Sequence, residues 1–551
     1  MYNAIKGDVN MNFNDLNEKE KLILKEFEPI DGWYPLEVQI EITYNCTLRC
    51  AMCYNGVRAN EKKFDDYIKD CNFETMDENK LKKINNILDL CLDNGAKFLT
   101  ITGGEPLLYP DLVIEMIKKV KAKGGYVSIN SNGTLIDEEL ASKLKLAGLD
   151  SALISIHGAD EKTHAKTVCV REAFEKTKNG IVNLLNNRIR VVPNFVASHV
   201  NVSKLKETAE MLYKLGIKHQ AYSIFIPTPN VPEHEALKMT IDDNISYFEQ
   251  LNEINFEYPD LKATATLPVP PCLSKGIVDS KVLEKFEFRT CPSGRQFMVV
   301  NAEGNASPCI QYAWNETYGD NVEASGKAIV NKLSHWKELL NIPEKCFNCG
   351  CKGFCNPCNM NILRENNGIL SQFSVPYPEH DSLTDEEGKS FQKKFEIRIN
   401  NDSWYKVYKL KNNVIIREER NGYITLINPN IQGYTVLKNI RVDDIKGNFI
   451  FSDQKYYRLF KAMNAIEVCE DYDINNIKSL DINLAPKYKI LTEFVGWNFN
   501  NDEAVYCTRT DTAGRFYCLA NTELEQTMYD EVRLIYINEL NYAKKIKLAN
   551  N

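Results

Sequence analysis

Three cysteines lie close together near the start of the chain, at Cys46, Cys50 and Cys53. The spacing of three and then two intervening residues lets one loop supply three thiolates. A 4Fe–4S cube has four irons, so three protein thiolates leave one iron open to a small molecule. Zinc usually takes four ligands, commonly as two Cys-x2-Cys pairs, and this segment has no fourth cysteine nearby. The spacing therefore favours an iron–sulfur cluster with one open coordination site.

A second, larger group of cysteines lies in the middle of the chain. Seven of the 17 cysteines fall within residues 291–358, with Cys272 just upstream, and five of them crowd into CFNCGCKGFCNPC. This arrangement fits auxiliary iron–sulfur clusters, and CFNC with CNPC also fits a zinc knuckle. We expect each of the six isolated cysteines to be a packing residue rather than a chemical one. The second group comprises Cys272, Cys291, Cys309, Cys346, Cys349, Cys351, Cys355 and Cys358.

The segments around the first cysteines alternate short apolar runs with amphipathic helical patterns. Residues 78–93 carry apolar side chains at Leu81, Ile84, Ile87 and Leu88, which is the 3.6-residue period of a helix. Alternation of strands and helices predicts a parallel sheet, and six strands predict a partial (β/α)6 barrel. The six predicted strands lie at 36–43, 97–103, 126–131, 151–158, 190–199 and 220–228.

Polar or glycine-containing motifs follow the first four predicted strands. The cysteine loop follows the first strand, Gly103-Gly104-Glu105-Pro106 the second, Asn132-Gly133 the third and His157-Gly158 the fourth. Ligands of β/α barrels gather at the carboxyl ends of the strands. Each motif alone could be an ordinary turn, but four of them on one face predict a binding site.

NCTLRCAMCY resembles the signature of the radical S-adenosylmethionine superfamily, and Gly103 to Pro106 look like that family's GGEP segment. The resemblance implies that S-adenosylmethionine binds the open iron and is cleaved to a 5′-deoxyadenosyl radical. It also implies that the GGEP turn, including Glu105, binds the methionine amino group. Tyr54 would lie near the adenine, and Asn132 and Ser155 would contact the ribose or carboxylate.

One segment departs from that family. Many relatives have an arginine with glycines before a phenylalanine after the fourth strand, whereas this chain reads HAKTVCVREAF. The carboxylate-binding arginine is therefore either Arg171 or missing. Cys169 lies in the same segment, and it is a candidate hydrogen-atom donor or a buried packing thiol. No other catalytic residue is identifiable from the sequence.

The second cysteine group is similar to the SPASM extension of the same superfamily, whose members mature peptides and carry two auxiliary 4Fe–4S clusters. The resemblance assigns Cys291, Cys309 and Cys358, completed by Cys272, to one cluster. Cys346, Cys349 and Cys355 would serve the other. The last pair has x2 spacing where the family has x3, and no cysteine follows Cys358 until Cys469. Cys351 is the nearest substitute ligand, and one cluster plus a zinc site is the alternative.

The patterns divide the chain into an N-terminal extension (1–35), a barrel (36–240), an auxiliary-cluster region (241–375) and a C-terminal α+β domain rich in strands (391–551). A polar stretch at 374–390 reads as a linker. The C-terminal part loosely resembles the small domains that bind a leader peptide as an added strand. A structural β-domain or a dimer interface is the alternative.

The composition limits the partners. A net charge of −8 argues against nucleic acid or an acidic membrane surface as the main partner. There is neither a signal-peptide pattern nor an apolar run of the roughly 18–20 residues that a membrane helix needs. We therefore expect a cytoplasmic enzyme.

The expected reaction is radical modification of a peptide or protein, forming a crosslink, a thioether or an oxidised residue. The resemblance implies a reductant such as flavodoxin or ferredoxin. Formylglycine formation in a sulfatase is a second possibility, lowered because Ile310 follows Cys309 where that branch tends to have an acidic base. A zinc-stabilised binding protein without catalysis is the third.

Overall fold

The computed structural model describes the barrel region and parts of the C-terminal region. Beyond the ranges given next, it describes only a few isolated positions, and nearly all of the N-terminal extension and of the linker lies outside it. The described ranges are 34–55, 75–227, 232–264, 297–312, 320–323, 406–418, 423–430, 433–438, 440–452, 454–473 and 476–480, with the strand backbones at 483–484, 494–499, 504–509 and 515–519.

A ten-stranded sheet forms the first part of the fold. Its order is β10-β9-β8-β1-β2-β3-β4-β5-β6-β7, in which β1 to β8 run parallel and β9 and β10 pair antiparallel. The strands are β1 Glu37–Glu41, β2 Phe98–Thr102, β3 Tyr126–Ser131, β4 Ser151–Ser155, β5 Arg190–Ala197, β6 His219–Ile224, β7 Lys262–Thr264, β8 Phe297–Val300, β9 Asn305–Ser307 and β10 Asp320–Asn321.

Helices alternate with these strands, as the periodicity predicts. The first of them begins where the Asp77 side chain accepts a hydrogen bond from the Lys80 amide, and it buries Ile84, Ile87 and Leu88. None of the helices in the described ranges is long and apolar enough to cross a membrane. The helices are α1 Glu78–Asp93, α2 Pro110–Ala122, α3 Glu138–Ala147, α4 Glu161–Val168, α5 Ala173–Asn186, α6 Leu205–Lys214 and α7 Ile241–Glu257.

The main core lies between the sheet and the helices. Val38, Ile40 and Ile42 pack there with apolar residues of the neighbouring strands and of α1 to α3. Successive strand residues point to opposite faces, so Gln39 and Glu41 lie on the other face of the sheet. The predicted partial barrel is therefore confirmed, and its strands carry polar side chains on the face away from the helices.

Four strands of the sheet, β7 to β10, are not among the six predicted barrel strands. Strand β8 pairs antiparallel with β9 and parallel with β1, from Glu37 opposite Phe297 to Ile40 opposite Val300. An edge strand exposes unpaired backbone groups, and β8 supplies partners for those of β1. This contact joins positions far apart in the chain, which periodicity cannot reveal.

The C-terminal residues form a β-rich unit, in agreement with the α+β expectation. One sheet has the order β16-β11-β15-β17, and the other has the order β12-β13-β14-β21-β20-β19 with β18 paired to β14. The elements are β11 Tyr408–Leu410, β12 Ile415–Glu418, β13 Tyr423–Asn428, β14 Gly433–Lys438, α8 Val442–Lys446, β15 Phe449–Phe451, α9 Gln454–Ala462, β16 Ile466–Val468, β17 Lys478–Leu480, β18 Asn483–Leu484, β19 Phe494–Phe499, β20 Ala504–Arg509 and β21 Arg515–Leu519.

Candidate active site

The loop that carries Cys46, Cys50 and Cys53 is fixed by the end of α4. The amide of Arg49 donates to the carbonyl of Val168 at 3.1 Å, and the amide of Ala51 donates to Thr167 at 2.9 Å. These carbonyls are among the last of the helix and have no partner within it. The helix end therefore holds the cysteine loop over the carboxyl ends of the strands.

Burial and mutual repulsion disfavour the thiolate forms of the loop cysteines. Burial and the nearby Glu105 charge raise the pKa of Cys46 to about 12, although the Leu48 amide donates to its sulfur at 3.4 Å. Burial, followed by the charges of Cys46, Cys53 and Cys169, raises the pKa of Cys50 well above its usual value. The positive charge of bound iron would stabilise buried thiolates, so these three cysteines fit the ligands of an iron–sulfur cluster.

The three thiols do not surround a single metal ion. No group of three or more His, Cys, Asp or Glu side chains among the described residues is arranged around one ion position. A 4Fe–4S cube binds each thiolate to a different iron, so its ligands need not converge on one point. The arrangement is compatible with a cube.

Gly103 and Gly104 let the turn after β2 lie directly against the start of the cysteine loop. The Gly104 amide donates to the Thr43 carbonyl and the Glu105 amide to the Asn45 carbonyl, both at 2.7 Å. A Cβ at Gly103 would lie 2.3 Å from the Thr43 oxygen, and one at Gly104 would lie 2.0 Å from the Asn45 oxygen. Only glycine permits this approach.

The Glu105 side chain connects the turn after β2 to the turn after β3. Its Oε1 accepts hydrogen bonds from Ser131 Oγ (2.9 Å) and the Leu107 amide (3.0 Å), and its Oε2 accepts one from the Asn132 amide (2.8 Å). Burial raises the pKa of Glu105 to about 7, against the lowering effect of these bonds. Oε2 accepts only one of these hydrogen bonds and a carboxylate oxygen can accept two, so the binding of a ligand amino group by Glu105 remains a prediction. Pro106 begins the short 3-10 helix Pro106–Leu108.

Asn132 braces the cysteine loop. Its Nδ2 donates to Thr47 Oγ1 at 2.9 Å and approaches the Cys46 sulfur at 3.7 Å. Its own carbonyl accepts a hydrogen bond from Thr177 Oγ1 of α5 at 2.8 Å. The structure therefore brings Asn132 and Cys46 together, as expected for one site, and the expected contact of Asn132 with the cofactor remains a prediction.

Three further predicted site residues, Ser155, Arg171 and Cys169, lie in the described part of the chain. Ser155 is half-buried at the end of β4. Arg171 is exposed in a two-residue strand that pairs with Lys62–Lys63. Cys169 ends α4 in a left-handed conformation (φ 55°), half-buried, and its charge contributes to the raised pKa of Cys50. Of these three residues, Cys169 is thus shown to lie near the predicted cluster ligands.

Glu41 is a site residue that the sequence reasoning missed. It is fully buried at the end of β1, and its Oε1 accepts a hydrogen bond from the Tyr54 hydroxyl at 2.7 Å. Burial raises the pKa of Glu41 to about 7, with the Tyr54 bond acting in the opposite direction. A signal was present in LEVQIEIT, where an acidic residue alternates with apolar ones directly before the cysteine loop.

Cys309 is the member of the second cysteine group that the structure describes. It is half-buried just after β9, and its carbonyl accepts a hydrogen bond from Ser307 Oγ at 3.2 Å. Its predicted ligand role remains a prediction. The other members lie outside the described residues, namely Cys272, Cys291, Cys346, Cys349, Cys351, Cys355 and Cys358.

Residues 40–212 match the family model of the radical SAM superfamily. The chain therefore contains a radical SAM domain, and it is an enzyme of the kind that uses a 4Fe–4S cluster and S-adenosylmethionine. This excludes the non-catalytic binding protein considered from the sequence. The match also agrees with the cysteine loop and the GGEP turn lying side by side.

Two curated relatives match over most of their own length. An AdoMet-dependent heme synthase of Methanosarcina barkeri is 28% identical over 59% of this chain and 91% of the relative. The antilisterial bacteriocin subtilosin biosynthesis protein AlbA of Bacillus subtilis is 23% identical over 60% of this chain and 69% of the relative. Among solved structures, Streptococcus suis SuiB bound to S-adenosylmethionine is 17% identical over 65% of this chain and 80% of that one, with a TM-score of 0.49.

Proposed function

We propose that this radical SAM enzyme modifies a peptide or protein by forming a crosslink, a thioether or an oxidised residue. The observation that carries the proposal is the pairing of β8 with β1. The hairpin of β8 and β9 leads to Cys309, so this member of the second cysteine group follows a strand of the same sheet that positions Cys46, Cys50 and Cys53. A relative that takes part in bacteriocin biosynthesis also supports a peptide substrate.

Each group of residues has a separate role in this proposal. Cys46, Cys50 and Cys53 would hold the first cluster, and the GGEP turn, including Glu105, would bind the cofactor. The bound cluster and S-adenosylmethionine supply a 5′-deoxyadenosyl radical that removes a hydrogen atom from the substrate. The second cysteine group holds one or two auxiliary 4Fe–4S clusters that transfer electrons. A flavodoxin or ferredoxin supplies electrons in the cytoplasm.

The face of the sheet away from the helices provides a polar but largely uncharged lining. Thr100 Oγ1 and Ser128 Oγ lie 2.9 Å apart, and Ser223 Oγ donates to Asn194 Oδ1 at 3.1 Å. Hydroxyl and amide side chains of this kind can also hydrogen-bond peptide groups. We propose that this lining receives the substrate.

The test uses synthetic peptides encoded by short open reading frames next to this gene. Reduced, reconstituted enzyme is incubated with S-adenosylmethionine and each peptide, and 5′-deoxyadenosine and peptide mass are measured. A substrate should lose two hydrogen atoms in step with 5′-deoxyadenosine formation, and the Cys46→Ala/Cys50→Ala/Cys53→Ala variant should leave it unchanged. Unchanged mass for every peptide, with continued cofactor cleavage, would contradict a peptide substrate.

A porphyrin is the second candidate substrate. It is favoured by the heme synthase relative, which is matched over 91% of its length. Incubation with iron coproporphyrin III under the same conditions tests it, since modification would change the mass and absorption spectrum of the porphyrin. Formylglycine formation is disfavoured, because Ile310 rather than an acidic residue follows Cys309.

A further inference from the structure

The hydrogen bond from Tyr54 accounts for only one of the two carboxylate oxygens of Glu41. The residue is 0% exposed, and its Oε2 has no hydrogen-bond partner among the described residues. A buried carboxylate oxygen without a donor is costly, and native proteins generally satisfy such groups. A ligand that brings a donor to this oxygen would remove the deficit.

The strand geometry shows where Glu41 lies. Val38, Ile40 and Ile42 pack against the helices, so Glu41 lies on the opposite face of β1. It pairs in register with Thr102, the last residue of β2, and Thr102 is followed directly by Gly103 of the GGEP turn. Glu41 is therefore at the carboxyl end of the barrel strands, where ligands of such barrels bind.

Tyr54 connects Glu41 to the cysteine loop. Tyr54 is adjacent to Cys53 in the chain, and its hydroxyl donates to Oε1 of Glu41 at 2.7 Å. This bond orients the carboxylate and leaves the second oxygen, Oε2, available. Thr100 and Ser128 of the lining described above carry no charge. An ionised Glu41 therefore adds a negative charge at this end of the barrel.

We propose that Oε2 of Glu41 accepts a hydrogen bond from an amine, amide or hydroxyl group of the ligand that occupies the barrel. Two molecules enter the barrel with such groups, S-adenosylmethionine and the substrate. The recognition chemistry is the same for both. A donor on S-adenosylmethionine is independent of the proposed function, whereas a donor on the substrate rests on the proposed peptide or protein substrate.

The variants separate the carboxylate from its surroundings. Glu41→Gln keeps the shape but replaces one acceptor oxygen with a donor, and Tyr54→Phe removes only the bond to Oε1. Glu139→Gln is the matched control, because Glu139 is an exposed carboxylate that pairs with Lys143 on the outer helix α3. Iron content and thermal unfolding are measured first, so that only folded, cluster-loaded proteins are compared.

Two binding measurements identify the source of the donor. The dissociation constant for S-adenosylmethionine is measured by anaerobic equilibrium dialysis. Binding of N-acetyl-lysinamide and of N-acetylalaninamide to the cofactor-loaded protein is measured by saturation-transfer NMR. We expect Glu41→Gln to weaken one ligand about tenfold, the loss typical of one hydrogen bond to a charged group. Tyr54→Phe should have a smaller effect, and Glu139→Gln none.

Each outcome decides the inference. Weaker binding of S-adenosylmethionine supports it and makes the cofactor the donor. Unchanged cofactor binding with weaker binding of the lysine amide alone supports it and makes a substrate amine the donor, and weaker binding of both amides supports it and makes a peptide amide the donor. If Glu41→Gln binds all three probes within twofold of the wild type, Glu41 is not a ligand-binding residue and the inference is wrong.

Discussion

Gly104 has no room for a side chain, because its Cα faces the backbone at Asn45. An added Cβ would lie 2.0 Å from a carbonyl oxygen that cannot move without displacing the cysteine loop. We expect Gly104→Ala to lower the free energy of unfolding by about 2 kcal/mol or more. It should also reduce the iron bound by the loop, measured by iron analysis after anaerobic reconstitution.

Gly447→Ala provides the comparison for that variant, since its added Cβ would meet nothing nearer than 3.9 Å. It should change stability by less than about 1 kcal/mol and leave the iron content unchanged. Equal iron contents in the two variants would show that the turn after β2 does not support the cysteine loop.

Cys169 lies beside the predicted cluster ligands without belonging to the Cys-x3-Cys-x2-Cys spacing. If it donates a hydrogen atom to a substrate radical, Cys169→Ala should retain the first cluster and the cleavage of S-adenosylmethionine. A substrate radical that regains a hydrogen atom from a thiol keeps its original mass but takes up deuterium in D2O. The deuterium incorporated per 5′-deoxyadenosine should therefore fall in the variant, and mass spectrometry measures this ratio. An unchanged ratio assigns Cys169 to packing.

At the residue scale, the sequence predicted groups that can be read locally. The cysteine spacing and the two glycines have a chemical meaning wherever they are placed. The carboxylate of Glu41 and the bond from Asn132 to Thr47 could not be predicted in the same way. Their meaning depends on which strands are neighbours and on which face each residue occupies, and these are properties of the folded sheet.

Helix α4 depends on two buried histidines. His157 and His164 are 3% and 0% exposed, and burial lowers their pKa values to about 4 and about 3. The His157 amide donates to Nδ1 of His164 at 3.2 Å, and the Val196 amide donates to Nδ1 of His157 at 3.3 Å. The Nδ1 atom of each histidine acts as an acceptor and carries no proton, so the folded protein requires both rings to be neutral.

Acid should therefore destabilise the fold at this helix. In the unfolded chain these histidines gain protons below about pH 6.5, while in the folded chain they stay neutral to about pH 4. Stability should thus fall as the pH decreases between these values, by up to about 1.4 kcal/mol per pH unit for each histidine. Urea unfolding of the wild type and His164→Asn at several pH values measures the slope.

His164→Asn keeps an acceptor for the His157 amide but no longer titrates. The variant should show a shallower decrease of stability between pH 6.5 and pH 4 than the wild type. Identical slopes would mean that His164 does not contribute to acid sensitivity. Because the end of α4 holds the cysteine loop through Val168 and Thr167, loss of bound iron should accompany the acid transition.

At the element scale, the repeating strand and helix patterns correctly predicted six barrel strands and the helix at 78–93. Helix α4 was not predicted, because it has only eight residues and shows no clear apolar stripe. The short strand β7 and the pairing of β8 with β1 were also not predicted. These strands join the sheet through backbone hydrogen bonds with distant partners, which leave little mark on a local pattern.

The molecule as a whole combines the barrel with the second cysteine group and the C-terminal β-rich unit. The C-terminal unit reaches the barrel region through Arg417, whose Nη1 donates to the Gly95 carbonyl at 3.4 Å. The boundaries of these parts and the ligation of the second cysteine group remain predictions. The resemblance to SPASM proteins carries them, because most of those cysteines lie outside the described residues.

Metal content distinguishes the alternatives for the second cysteine group. The Cys46→Ala/Cys50→Ala/Cys53→Ala variant should retain about four to eight irons with matching sulfide if one or two auxiliary clusters form. About four irons together with one zinc would instead favour one auxiliary cluster with a zinc site. Iron, zinc and acid-labile sulfide are measured on protein purified anaerobically. Absence of both metals from the variant would contradict an auxiliary metal centre.

The central claim is that Cys46, Cys50 and Cys53 hold a cluster whose open iron binds S-adenosylmethionine. Electron paramagnetic resonance of the dithionite-reduced protein, with and without S-adenosylmethionine, tests it directly. We expect a reduced 4Fe–4S signal whose g-values change on adding S-adenosylmethionine, with 5′-deoxyadenosine formed, and neither effect in the triple-alanine variant. A signal that S-adenosylmethionine leaves unchanged, or one that persists and still responds in the variant, would contradict the account.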